Sequence, residues 1–280
     1  MSTYLITRTP HQAAAFTRQV QAHDPAARVL CAPVLQAVAR QPEDWEEIAF
    51  ALVRGEFSWV TFTSANGVLG LEKLAQEIGQ PLVQLLGAAQ IAAVGRATEA
   101  ALTERGLLVD FVPHTQSAAG MIEEWLIDEE WEDPTTEKVL AVQGTTASPV
   151  LEDGLTDYGY TVAPLAVYDM VPYPADLPLA EPEDTQDSQA QDDAVALTLE
   201  QAREALAEVD VLVATSPLLL KTLARSVSFA LPPTVAIGAS TRAAAEALTQ
   251  PARPQKISVA TSPAPADLAT AAFLASQPAS

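Results

Sequence analysis

Apolar runs of strand length alternate along the chain with stretches whose apolar positions recur every three or four residues. In the first half, YLITR (4–8) leads into the amphipathic segment HQAAAFTRQVQAH, and RVLCAPVL (28–35) follows as a second strand. DWEEIAFALVRG (44–55) reads as a helix closed by Gly55. WVTFTS predicts a strand and ANGVLGLEKLAQEIG its helix. QIAAVG (90–95) and LLVDFVP (107–113) are further strands, with ATEAALTERG and SAAGMIEEWLID helical.

The second half repeats the alternation. KVLAVQG (138–144), TVAPLAVYDMVPY (161–173), DVLVATS, TVAIG (234–238) and KISVATS (256–262) are extended. SPVLEDGLTDYG, LEQAREALAEV, PLLLKTLARS, STRAAAEALTQ and ADLATAAFLASQ are helical. Most strands are continuously apolar, the pattern of parallel sheets covered by helices on both faces. The expected class is α/β, with two similar domains, each a parallel sheet flanked by helices.

An internal repeat supports two similar halves. VTFTS (60–64) matches LVATS (212–216), and AAVGRATEAAL (92–102) matches VAIGASTRAAA (235–245), aligning Gly95 with Gly238 and Thr98 with Thr241. One segment stands apart. AEPEDTQDSQAQDDA (180–194) holds six acids and no Leu, Ile, Val or Phe. It cannot bury enough apolar area to offset an ordering cost of roughly 1–2 kcal/mol per residue, so a disordered acidic loop is expected.

Composition narrows the function classes. The 280 residues suggest about two domains of roughly 150. A formal charge of −21 repels phosphate polymers and anionic lipid, which argues against nucleic-acid and membrane-surface partners. Cys31 is the only cysteine, so an internal disulfide is excluded and a Cys-based metal site disfavoured. The histidines, His11, His23 and His114, are scattered. No apolar run approaches the ~18 residues of a membrane span, and the N-terminus lacks a signal pattern. The expectation is a cytoplasmic protein without a metal.

The candidate chemistry lies at strand ends. At Thr63–Ser64 and Thr215–Ser216 a strand gives way to a helix, and Pro217 suits the first helical position. Such a corner either caps its helix and nothing more, or presents helix amides and the positive dipole end to a carboxylate. Gly95–Thr98 and Gly238–Thr241 have the same two readings. Neither fits G-x-G-x-x-G or a P-loop, which argues against nicotinamide and nucleotide enzymes. Arg8 can pair a carboxylate or sit on the surface. Tyr168, in LAVYDMVP, is either structural or a proton donor, since a phenol keeps its proton at neutral pH.

In order and spacing, ITRTP, CAPVL, FTSANGV, AAVGRATEAALTERG, VLAVQG, APLAVYDMVP, VLVATSP and VAIGASTRAAAEA together resemble the uroporphyrinogen-III synthases. The resemblance spans nearly the whole chain except 180–194 and the C-terminal tail. It implies two flavodoxin/Rossmann-like domains joined by a two-stranded connection, VLQAV (34–38) and AVYDMV (166–171), with the active site between the domains. The discontinuous domain would be 1–36 plus 172–280, and the second 37–171.

The implied reaction closes hydroxymethylbilane to uroporphyrinogen III, inverting the last pyrrole ring and losing water, with no cofactor. Tyr168 matches the family's tyrosine as the catalytic proton donor. Arg8, Thr63, Ser64, Gly95, Thr98, Thr215, Ser216, Gly238 and Thr241 would bind the substrate's carboxylates, chiefly through uncharged amides. A monomer is expected, with the upstream hydroxymethylbilane synthase a candidate partner. Gln143-Gly144 stands where many relatives carry Arg-Gly. The competing reading is a non-catalytic two-lobed sensor for an anionic small molecule, with the same helix ends and no proton donor.

Overall fold

The structure is a computed structural model and describes residues 1–125, 134–180 and 196–277. Apart from Ala180, the acidic segment expected to be disordered lies outside the described residues. The chain divides into two compact units. Unit 1 comprises Met1–Gln36, Pro172–Pro174 and the described residues of 182–280; unit 2 comprises the described residues of 37–171 and 175–181.

In unit 1, five parallel strands are β1 (Thr3–Ile6), β2 (Arg28–Cys31), β8 (Val211–Ala214), β9 (Thr234–Ala236) and β10 (Ile257–Val259). Their order in the sheet is β10-β9-β8-β1-β2. Between them run α1 (Pro10–His23), α8 (Leu199–Ala205), α9 (Pro217–Ala224), α10 (Ala239–Glu246) and α11 (Pro265–Ser276). Alternate residues of each strand face opposite helical layers. Leu5, Leu212 and Ala214 pack with α8, α9 and α10, while Tyr4, Ile6, Val211 and Val213 pack with α1 and α11. Covering both faces is what permits an uninterrupted apolar strand.

In unit 2 the sheet order is β3-β7-β6-β4-β5. The strands are β3 (Leu35–Ala39), β4 (Trp59–Phe62), β5 (Gln90–Ala93), β6 (Lys138–Gly144) and β7 (Thr161–Pro172). The helices are α2 (Trp45–Val53), α3 (Ala65–Glu77), α4 (Leu82–Leu85), α5 (Arg96–Thr103), α6 (Ala118–Trp125) and α7 (Val150–Asp157). Val60, Phe62, Leu140 and Val142 pack with α2 to α5; Trp59 and Val139 pack on the opposite face with Met121, Trp125, Leu151 and Leu155.

The two sheets correspond once the chain is permuted. β4 pairs with β5 and β6, as β8 pairs with β9 and β1. Beyond β5, Phe111 bridges Ala92 in parallel, where β10 lies beyond β9. Thus β6-α7-β7 answers to β1-α1-β2, and β4-α3-β5-α5 to β8-α9-β9-α10. Thr61 pairs with Ala141 and Val213 with Ile6, so the VTFTS/LVATS match places Gln143 opposite Arg8 in the comparison, and Gly144 opposite Thr9.

Two elements differ from the sequence reading. RVLCAPVL is not one strand: it breaks after Cys31, and Val34 adopts φ 67° before β3 begins. LLVDFVP contributes only the Phe111 bridge. The Asp110 carboxylate accepts the Ile91 N–H at 2.8 Å, so a side chain replaces part of the ladder there.

Candidate functional site

In a doubly wound sheet, ligands gather at the carboxyl ends of the strands, where successive connections leave in opposite directions. That point lies between β4 and β6 in unit 2, and between β1 and β8 in unit 1.

At the unit 2 switch point, β4 delivers Thr63 and Ser64, and β6 delivers Gly144. Ser64 is the N-cap of α3, its Oγ accepting the Gly67 N–H at 3.2 Å. The same Oγ lies 3.0 Å from the hydroxyl of Tyr168, which stands on β7 directly beside Gly144. The Tyr168 ring rests on Gly144: a Cβ there would meet Cε2 and Cζ at 2.6 Å. Thr145 donates its N–H to the Tyr168 carbonyl at 3.1 Å and its hydroxyl to Asp169 Oδ1 at 2.5 Å. Arg40 lies 3.5 Å from the other Asp169 oxygen. Tyr168 is half-buried, with its backbone pinned on both sides of the residue. Thr63 turns its hydroxyl toward the Val142 carbonyl at 3.4 Å.

The unit 1 switch point is an open cavity of ≈ 520 Å³ lined by Arg8, His11, Gln12, Thr215, Ser216 and Leu219, with Thr7 at its base. The Thr215 hydroxyl donates to the Thr7 carbonyl, and its N–H to Thr7 Oγ1, both at 2.9 Å. Ser216 caps α9 by accepting the Leu218 N–H at 3.2 Å. The Leu218 amide of α9 is therefore occupied, and Pro217 has none. Arg8 supplies what they cannot. Its guanidinium is half-buried and has no ion pair or hydrogen bond among the described residues, and burial lowers its pKa by disfavouring the charged form.

The glycine turns diverge. At Gly95, the Gln116 side chain covers the end of α5 and accepts the Arg96 N–H at 3.2 Å. At Gly238, nothing approaches within 4 Å of a Cβ position. Thr98 and Thr241 are buried at 4% and 1% exposure, so their hydroxyls face the core rather than a ligand. Thr241 Oγ1 has no hydrogen-bond partner among the described residues.

The structure thus brings Ser64 and Tyr168 together in unit 2, and Arg8, Thr215 and Ser216 together in unit 1. Gly144 and Thr145 are parts of the unit 2 arrangement that site prediction from the sequence passed over. The signal available for Gly144 was a glycine ending a strand just before a polar turn. Among the described residues, no cluster of His, Cys, Asp and Glu could hold a metal, and no helix is long and apolar enough to cross a membrane.

Both units are doubly wound α/β sheets, one with a phenol seated at its switch point and the other with an arginine-lined cavity there. The family model for uroporphyrinogen-III synthase HemD matches residues 15–262. The chain belongs to the uroporphyrinogen-III synthase family, whose members are enzymes of heme biosynthesis acting on a small-molecule substrate. In fold it is similar to a mutant uroporphyrinogen III synthase from the extremely thermophilic bacterium Thermus thermophilus, with TM-score 0.61, 18% identity and 98% of each chain covered. It is also similar to the uroporphyrinogen-III synthetase of Helicobacter pylori, with TM-score 0.58, 15% identity, and 98% of this chain and 99% of that one covered. No curated protein matches it in sequence. The family match supports a synthase and lends nothing to the non-catalytic sensor.

Proposed function

We propose that the chain acts as a cyclising hydro-lyase in which Tyr168 is the proton donor. The phenol protonates the departing hydroxyl of hydroxymethylbilane, which leaves as water and generates a reactive azafulvene. The substituted carbon of the last ring attacks this centre to give a spiro intermediate. Rearrangement and loss of one ring proton yield uroporphyrinogen III, so the proton given up by the phenol is matched by the one the ring releases. Positioning decides the product, because unassisted closure gives the non-inverted isomer.

The observation that carries this reading is the hydroxyl of the partly buried Tyr168, held 3.0 Å from Ser64 at the carboxyl end of the unit 2 sheet. The amides at the start of α3 and the Gly238 end of α10 are the uncharged donors proposed for substrate carboxylates. The Arg8 cavity, with Thr215 and Ser216, is the charged one. Thr63, Gly95, Thr98 and Thr241 take no direct side-chain part in this version of the site.

The test feeds freshly prepared hydroxymethylbilane to the full chain and separates the type I and type III products. Type III in clear excess over a protein-free control supports the reading. A type I product at the uncatalysed rate would overturn it.

A further inference from the structure

We infer that Gly144 and Ser64 are positioning residues that together seat the phenol of Tyr168, Gly144 as the bed for its ring and Ser64 as the donor that turns its proton outward. The inference rests on Tyr168 being the proton donor and adds two residues that act through it.

Gly144 Cα leaves space that no other residue leaves. A Cβ would stand 2.6 Å from two ring carbons and 3.0 Å from the hydroxyl oxygen, against the ~3.5–4.0 Å of an ordinary carbon contact. The backbone of β7 cannot easily yield, because the Thr145 N–H holds the Tyr168 carbonyl and Asp169 is tied to Thr145 and Arg40. The ring must therefore swing by about 1 Å, which stretches a 3.0 Å hydrogen bond to Ser64 past useful length.

The fold itself does not require glycine at this place. In the permuted comparison the same strand end in unit 1 carries Thr9, whose side chain caps α1, and the cavity beside it is open.

Ser64 can act as that donor. One lone pair of its Oγ receives the Gly67 N–H, which leaves its own proton to be given away. Tyr168 Oη is 3.0 Å distant and can accept it. With Ser64 as donor, the phenolic proton is free for a third group, and the Ser64 hydroxyl stabilises the charge that develops on the oxygen as that proton departs.

The test is a double-mutant cycle in the full chain with fresh hydroxymethylbilane, reading kcat, KM and the isomer ratio for wild type, G144A, Y168F and the double variant. G144A is expected to lower kcat by about 10²-fold, with KM within about threefold and type I product rising. In the Y168F background it is expected to cost nothing more. S64A is expected to lower kcat about tenfold and to move the alkaline limb of the pH–rate profile upward, with S64T restoring part of the rate.

Full activity in G144A, or an equal loss with and without the phenol, would overturn the seat. So would an unchanged pH profile in S64A. If G144A does not fold, as thermal melting would reveal, the Ser64 pair decides alone. Full activity in Y168F would instead refute the proton-donor reading on which the inference rests.

Discussion

Arg8→Met removes the charge from the unit 1 cavity while keeping the length and apolar stem of the side chain. Two consequences follow, of opposite sign. Arg8 is a half-buried cation without a partner among the described residues, so its desolvation destabilises the folded state and no described residue compensates. Solvent still reaches the group, and the gain from neutralising it is at most about 1 kcal/mol. For a chain of this size that is an unfolding midpoint higher by about 2–4 °C at most.

Binding moves the other way. A hydrogen bond between guanidinium and carboxylate contributes roughly 1.5–3 kcal/mol, and the partial exposure of Arg8 favours the lower part of that range. About 1.5–2 kcal/mol corresponds to a rise in KM of roughly 10–30-fold. A contact made equally to the bound substrate and to the transition state leaves kcat within about twofold. Steady-state kinetics with hydroxymethylbilane and thermal melting of the same preparation read both effects. An unchanged KM would refute the cavity as a carboxylate site. A midpoint several degrees lower would refute the claim that the cation is uncompensated.

Other expectations concern the titrating groups. The Glu124 carboxylate accepts the His114 and Thr115 N–H groups at 2.7 and 2.8 Å, and these backbone bonds hold its pKa down to about 2. A folded-state pKa below the unfolded one contributes stability that is present above the usual carboxylate range and is lost as pH falls toward 2. Glu124→Gln should therefore flatten the loss of thermal stability between about pH 5 and pH 2; an unchanged slope would refute the assignment. Burial pushes the Cys31 thiol up to about 11. A thiol reagent at pH 8 should label the native chain slowly and the denaturant-unfolded chain at once, and equal rates would contradict the buried placement.

Much of the fold was legible because its elements obey local rules. VTFTS and LVATS are unbroken apolar strands that end in serine N-caps, and the caps form as the residues imply. The break at Val34 was not legible, since a buried β-branched residue at positive φ goes against local preference. The site was legible only in part. Arg8 and Tyr168 could be named from the sequence, but the groups around them come from other strands.

The misses share a cause. Gln116 reaches Arg96 across 20 residues, and no spacing rule anticipates a side chain from a later loop covering a helix end. Thr98 and Thr241 occupy the third position of their helices, where the side chain turns inward under the next turn. Gly144 has a role only because Tyr168, 24 residues later, lies in the neighbouring strand. Sequence reading located the helix termini; which of them stay open is decided by tertiary packing.

The most direct test of the proton-donor claim is the rate of hydroxymethylbilane consumption by Tyr168→Phe under single-turnover conditions, alongside the thermal shift given by an unreactive tetrapyrrole polycarboxylate. Loss of the phenolic proton should slow turnover by about 10²–10⁴-fold, while the shift stays that of the unaltered protein. Turnover at the unaltered rate, with type III product retained, would contradict it.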